Sequence, residues 1–246
     1  MKSYYHAHES AYQQIKSKGF VGWGNAKNLS ELGDAKTNEY LKQKIGKYFS
    51  YVNAKSALDL GCGTGTTAFT FAKHGFQTTG IDISATAIEM GRDLARQQNL
   101  EIRFVAGDAL DLKSLGQKFD LVYDSHFLHC IVLEEDRRKV FEGVKSVLSS
   151  NGIFILDTMV MPVGQVDPAR MFDTLRFDDD FILWHKVKPS NDRGILEIEG
   201  QHWCAQRRIY PADKVVSEVT GAGFEILEQQ VDDQENSPSM LRMVLR

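Results

Sequence analysis

Residues 57–65, Ala57-Leu58-Asp59-Leu60-Gly61-Cys62-Gly63-Thr64-Gly65, constrain this chain more than any other stretch. A short apolar run carries an acid near its end, and glycines follow at three alternate positions. The run reads as a buried strand, and the glycines let the backbone turn sharply and come within contact distance of a ligand. In an open α/β sheet such a turn is the usual seat of a nucleotide-like ligand.

The following segment narrows the ligand. Thr66 to Lys73 has helical composition without Pro, and Gln77-Thr78-Thr79-Gly80-Ile81-Asp82 reads as a second strand ending in a carboxylate. That acid lies about 20 residues past the turn, the spacing at which a side chain accepts hydrogen bonds from ribose hydroxyls. A cap or turn role is the alternative for Asp82. A dinucleotide fingerprint requires G-x-G-x-x-G, whereas this turn reads G-x-G-x-G with Thr66 at the place of the third dinucleotide glycine. Asp59 would repel a pyrophosphate. It suits a cationic ligand better, such as the ammonium and sulfonium of S-adenosylmethionine, which carries no pyrophosphate.

Five ordered blocks resemble the class I (Rossmann-like) S-adenosylmethionine-dependent methyltransferases. Asp59-Leu60-Gly61-Cys62-Gly63-Thr64-Gly65 is similar to the family's first signature, and Gly80-Ile81-Asp82-Ile83-Ser84 to its second strand end, whose acid holds the ribose. Phe104-Val105-Ala106-Gly107-Asp108-Ala109 resembles the third, whose acid meets the adenine amino group. Phe119-Asp120-Leu121-Val122-Tyr123-Asp124 resembles the fourth, and Leu148 to Leu156 the fifth. Tyr210-Pro211-Ala212-Asp213 through Gly221-Ala222-Gly223-Phe224 resembles the common last helix and the turn after it. The match is close over residues 55–160 and loose over 210–246. The resemblance implies a doubly wound, mostly parallel seven-stranded α/β sheet with an N-terminal helical cap and a β-hairpin insertion. It implies cofactor contacts from Asp59, Gly61, Cys62, Gly63, Gly65, Asp82, Ile83, Asp108, Ala109 and Asp124. The family often lines the junction of cofactor and acceptor after its fourth strand, so His126 and Asp124 are the catalytic candidates. His129-Cys130 fits a family pattern in which the histidine packs under the cofactor.

A chain of 246 residues with 42% hydrophobic content can bury one sizeable core. The division expected is a cap segment at 1–36 and a methyltransferase domain at 37–246 with an insertion at 160–209. A net charge of −4 without a long basic run disfavours a nucleic-acid partner. Cys62, Cys130 and Cys204 lie far apart without C-x-x-C spacing, which argues against a disulfide framework or a zinc site. The first residues lack an apolar signal region, and no run reaches about 18 apolar residues. A cytoplasmic protein without a membrane partner, monomer or homodimer, is expected.

Periodicity predicts a helix over 38–52 with a stripe of Tyr40, Leu41, Ile45, Tyr48 and Phe49. Strands are predicted at 56–60, 77–81, 101–105, 119–123 and 152–158. Helices are predicted at 66–74, 84–98 (capped by Ser84) and 134–149, an alternation that implies parallel strands with right-handed crossovers. Residues 181–187 and 195–203 read as two strands around a turn at 189–194, a hairpin suited to cover a substrate or to form an edge or dimer surface.

Methyl transfer from a sulfonium is an in-line displacement, so an enzyme mainly aligns donor and acceptor and removes a proton. His126, with an intrinsic pKa near neutrality, suits the base role. His185, His202, Trp184, Trp203, Tyr210 and Trp23 read as core or lid packing, with one or two lining an acceptor pocket. Asp124 and Asp157 end strands where catechol-type methyltransferases hold magnesium, but those pair the second acid with Asn and Thr158 follows here. His6-x-His8-Glu9 reads as a solvated terminal segment rather than a metal site, and no metal is expected. The expected activity is methyl transfer from S-adenosylmethionine to a small-molecule N, O or S acceptor. The alternatives are a protein or RNA acceptor, an NAD-type oxidoreductase, or a cofactor-binding regulator.

Overall fold

Apolar strands alternate with amphipathic helices as far as residue 160, and this alternation winds a parallel sheet. The computed structural model describes residues 3–33, 35–50, 55–162, 175–189, 195–233 and 238–246. In chain order the first elements are α1 (Ser3–Ser17), α2 (Ala35–Phe49), β1 (Ser56–Leu60), α3 (Thr66–Lys73), β2 (Gln77–Asp82) and α4 (Ala85–Gln97). They are followed by β3 (Ile102–Ala106), β4 (Phe119–Ser125), α5 (Glu134–Val147) and β5 (Leu148–Val160). The C-terminal part adds β6 (Leu175–Phe177), β7 (Ile182–Val187), β8 (Ile195–Ile198), β9 (Gln201–Arg208), α6 (Ala212–Gly221), β10 (Ile226–Asp232) and β11 (Ser239–Leu245).

The main sheet has seven strands in the order β3-β2-β1-β4-β5-β11-β10. β1 to β5 run parallel, and β11 is antiparallel to both β5 and β10. Strand order reverses between β1 and β4, which opens a crevice at their carboxyl ends. Alternate side chains of each strand face opposite layers. Leu58, Leu60, Val122, Phe154 and Leu156 pack with Val140, Phe141 and Val144 of α5 and Val215 and Val219 of α6. Ala57, Leu121, Tyr123 and Ile155 pack with Tyr40, Leu41, Ile45 and Phe49 of α2, so four of the five expected stripe residues are buried and Tyr48 is half-buried. Each fully buried Leu or Phe of these layers contributes about 1.5–3 kcal/mol. The α2 helix begins three residues earlier than its stripe suggests; its predicted C-terminal residues 51 and 52 lie outside the described residues.

The hairpin expected at 181–203 takes a different form. β7 pairs with β9, not with β8, and a second antiparallel sheet results with the order β6-β7-β9-β8. The stretch read as one strand over 195–203 is two strands. Glu199 (φ 53°) and Gly200 (φ 71°) both take left-handed conformations, the requirement of a tight two-residue hairpin turn, and reverse the chain there. The turn read at 189–194 falls mostly outside the described residues. One face of this sheet sets Ile182, Trp184, Trp203 and Ala205 against Val132, just after β4. Arg208 and Tyr210 fasten it to Glu134 at the start of α5.

Candidate active site

The glycine turn between β1 and α3 has Gly61, Gly63 and Gly65 at φ 66°, 53° and 98°. A side chain at Gly63 would be strained by that φ and would also strike the Tyr12 hydroxyl, while a Cβ at Gly65 would meet the Phe104 ring at 2.6 Å. Asp59 is fully buried behind the turn. Its Oδ2 accepts the Ala68 amide of α3 at 2.8 Å, and its Oδ1 has no partner among the described residues. Burial is the main reason its carboxyl is pushed up to about 7. Cys62, buried, lies in the turn beneath Gly80.

Asp82 ends β2 with Oδ2 on the Gly63 amide (2.8 Å) and Oδ1 on the Ser84 amide (2.8 Å). The turn role left open for Asp82 is thus present. Each carboxylate oxygen still has a lone pair for a further donor, so a ligand role is compatible with it. Ile83 follows, half-buried, and Ser84 caps α4 through the Ala87 amide. Asp108 caps the short helical segment that begins with buried Ala109, its Oδ1 accepting the Leu110 amide and the Tyr5 hydroxyl. The described residues therefore fit S-adenosylmethionine. An orphaned buried carboxyl oxygen, three left-handed glycines and two strand-end acids with spare acceptor capacity line one edge of the sheet.

Asp124 faces inward. Its two oxygens accept the Phe127 and Leu128 amides at 2.8 and 2.9 Å, and burial lifts its pKa to about 8 despite those bonds. It thus holds the turn after β4, and the sequence offered no sign that its side chain would be spent there. His126 sits in that turn with φ 63°, a left-handed conformation that is costly for a non-glycine residue and clusters at functional sites. Its amide donates to the Asp157 carbonyl at 2.9 Å. Arg137 of α5 clamps the same turn through the Leu128 and Ile131 carbonyls and pairs with Glu218 of α6 through two 2.6 Å bonds.

The His129 ring stands edge-on to that of His126, with centroids 6.2 Å apart. The Met159 amide donates to its Nδ1, which places the ring proton on Nε2, and burial holds its pKa well below the usual imidazole value. His129 is therefore a neutral buried donor. Asp157 lies on the opposite face of the sheet from Asp124. It accepts the Tyr123 hydroxyl at 3.2 Å and Arg242 Nε at 3.1 Å, so the two acids do not share a metal site.

The N-terminal segment departs from its expected solvated state. On α1, Tyr5, His8, Glu9 and Tyr12 share the face at positions i, i+3, i+4 and i+7, and this face lies across the glycine turn. Glu9 accepts the Ser84 hydroxyl (2.7 Å) and the Thr86 hydroxyl (2.5 Å), capping α4 from outside. Burial raises its pKa, and the bonds from Thr86 and Ser84 outweigh that, leaving it below the usual value. Trp23 Nε1 donates to the Tyr12 hydroxyl at 2.8 Å. His8 is half-buried, and burial followed by the Arg207 charge lowers its pKa. Tyr5, Tyr12, Arg137 and Arg207 escaped the sequence reading, and His8 and Glu9 were read only as a solvated segment; the i, i+3, i+4, i+7 spacing on α1 is the one signal that could have flagged the four on that helix.

Comparison with known proteins agrees with this geometry. The sequence profile of the methyltransferase-domain family matches residues 52–210. A protein of Geobacillus sp. (strain WCH70), named as a methyltransferase without a stated acceptor, is 27% identical over 80% of this chain and 85% of its own length. The ubiquinone biosynthesis O-methyltransferase of Coxiella burnetii (strain Dugway 5J108-111) is 27% identical over 49% of this chain and 48% of its own. The ajmaline N-methyltransferase of Rauvolfia serpentina is 35% identical over 42% and 35%. In fold, the chain resembles an S-adenosylmethionine-dependent methyltransferase from Clostridium acetobutylicum ATCC 824, with TM-score 0.65, 19% identity and coverage of 96% and 98%. It resembles the CcbJ methyltransferase of Streptomyces caelestis with TM-score 0.68, 18% identity and coverage of 96% and 97%. The chain belongs to the S-adenosylmethionine-dependent methyltransferases of class I, Rossmann-like fold.

Proposed function

We propose that this enzyme methylates a small molecule held between α1, the turn after β4 and β9. The observation that carries this reading is the roof. The α1 face lies over the glycine turn, and β9 packs against both α1 and the turn at 128–130, so protein covers the crevice at the strand ends. A cleft roofed by protein suits a small acceptor and disfavours an RNA or protein chain. The relatives named above that carry an acceptor in their names act on small molecules, which supports the same reading.

S-adenosylmethionine would supply an electrophilic methyl group; the carbon–sulfur electron pair stays on sulfur while the acceptor's lone pair forms the new bond. In our assignment Asp59 and the turn formed by Gly61, Cys62, Gly63 and Gly65 hold the amino-acid end. Asp82 with Ile83 holds the ribose, and Asp108 with Ala109 the adenine. Asp124 acts as a positioning residue that sets the turn, and His126 takes the acceptor's proton, with an imidazole ring that no described group engages in a hydrogen bond.

Homocysteine release across a panel of small metabolites tests the acceptor class, and His126→Ala tests the base. Turnover should fall by roughly 10²–10⁴-fold, the usual share of general base catalysis, with S-adenosylhomocysteine affinity nearly intact. Lost affinity with normal turnover would make His126 a binding residue. Binding of NAD but not of S-adenosylhomocysteine would sink the whole assignment.

A further inference from the structure

Arg207 is a half-buried cation that the reading above does not use. It stands on β9 at an irregularity of the β7–β9 ladder, where Leu183 pairs with Arg207 and Trp184 with Ala205, so Gln206 is an extra residue. Such bulges re-aim side chains and favour the neighbourhood of active sites. The Arg207 charge acts on the Cys130 thiol, on His8 of α1 and on His129, and β9 itself packs against both α1 and the turn at 128–130. Three segments far apart in sequence thus meet at one cation: α1 above, the turn after β4 below, and β9 at the side.

Among the described residues the cation lacks a counter-charge. Arg208, its neighbour, pairs with Glu134; Arg137 pairs with Glu218, and Arg242 with Asp157 and Asp232. Among the described residues no Asp or Glu comes within ion-pair distance of Arg207. Its neighbours cannot neutralise it. The Cys130 thiol is pushed up to about 11, chiefly by burial, and remains protonated. Burial, with the Arg207 charge behind it, holds His8 and His129 neutral. Asp82 and Asp124, the acids that act on Cys130, each already bind two backbone amides. A charge withdrawn from water without a partner costs stability unless a ligand completes it. A planar guanidinium fork matches a carboxylate in bidentate geometry.

We propose that Arg207 anchors a carboxylate of the methyl acceptor, which makes the acceptor a small organic acid whose nucleophilic atom is separate from that carboxylate. Resting on the methyltransferase reading above, the inference adds what the cleft selects for. The carboxylate is held and not methylated. The unmodified end of the acceptor lies against β9, and the reacting atom points toward His126 and the glycine turn.

Benzoate is the probe, with benzamide as its uncharged isostere, titrated into protein saturated with S-adenosylhomocysteine. The Arg207 Nε–H signal, assigned by its loss in Arg207→Met, reports contact in ¹H–¹⁵N spectra. Benzoate should shift that signal and bind at least tenfold more tightly than benzamide. Arg207→Met should weaken benzoate at least tenfold while S-adenosylhomocysteine affinity stays within twofold, and Arg207→Lys should restore part of the loss. Equal binding of benzoate and benzamide by the wild-type protein overturns the proposal without relying on any variant. A tenfold loss of S-adenosylhomocysteine affinity in Arg207→Met also overturns it, since the guanidinium would then hold the cofactor's own carboxylate. Wild-type protein that ignores S-adenosylhomocysteine but binds benzoate through Arg207 would refute the methyltransferase reading and leave the anion site standing.

Discussion

Asp59 is fully buried, with one carboxyl oxygen on the Ala68 amide, the other without a partner among the described residues, and a pKa of about 7 caused mainly by burial. An unfolded Asp ionises near pH 4, so between about pH 4 and 7 the folded chain holds a proton that the unfolded chain has lost. Stability therefore declines as pH rises through that window, the reverse of the usual carboxylate. Asp124, at about 8, extends the decline upward. Asp59→Asn keeps an oxygen for Ala68 and removes the titration. It should stabilise the ligand-free protein at pH 8, by an amount on the order of a few kcal/mol, and leave it little changed near pH 4; urea unfolding at the two values checks this. The same variant should weaken S-adenosylhomocysteine at least tenfold by calorimetry, because the ammonium loses its partner. Unchanged affinity would show that Asp59 only supports the turn. Asp59 was legible in the sequence because it stands two residues before Gly61, the first glycine of the turn, a local relation. That Asp124 would spend both oxygens on the Phe127 and Leu128 amides was not, since nothing in residue type tells a capping carboxylate from a reactive one.

At the scale of elements, the turn after β4 and the helix α1 decide how the cleft is closed. Arg137 is buried and ties that turn to α6 through Glu218, which is 21% exposed. Arg137→Met removes a buried partner and two carbonyl bonds, so a loss of about 3 kcal/mol is expected in urea unfolding; a loss under about 1 kcal/mol would mean the turn is held by Asp124 alone. Glu9 fastens α1 to Ser84 and Thr86. Glu9→Ala should speed S-adenosylhomocysteine release roughly ten- to 150-fold, the effect of losing a hydrogen bond to a charged group. Hydrogen exchange over 3–17 should rise in parallel. Unaltered release in stopped-flow measurements would mean that α1 does not gate the cofactor. Strand and helix periods made most elements readable, but β9 was not among them. Its separation from β8 depends on the turn at Glu199-Gly200, where a non-glycine residue takes φ 53° and the apolar pattern gives no break.

For the whole molecule, a ligand that binds only the native chain raises its stability by mass action. At a hundred times its Kd, S-adenosylhomocysteine should add about 2.7 kcal/mol, and for a chain of this length that is roughly a 5–10 °C rise in Tm. NAD at the same concentration should leave Tm unchanged; a rise with NAD alone would reverse the cofactor assignment. No helix among the described residues is long and apolar enough to cross a membrane. The sequence by itself determined the doubly wound sheet, the order of its strand-end acids and the cofactor. Those follow from local physics: positive-φ glycines, alternation of apolar strands with amphipathic helices, and carboxylates at fixed spacing. Tertiary structure alone decided what roofs the cleft and what charge it presents. His8, Cys130 and Arg207 meet only because α1 docks on α4 and β9 pairs across to β7, and no period of two or 3.6 residues records contacts between segments so far apart in the chain.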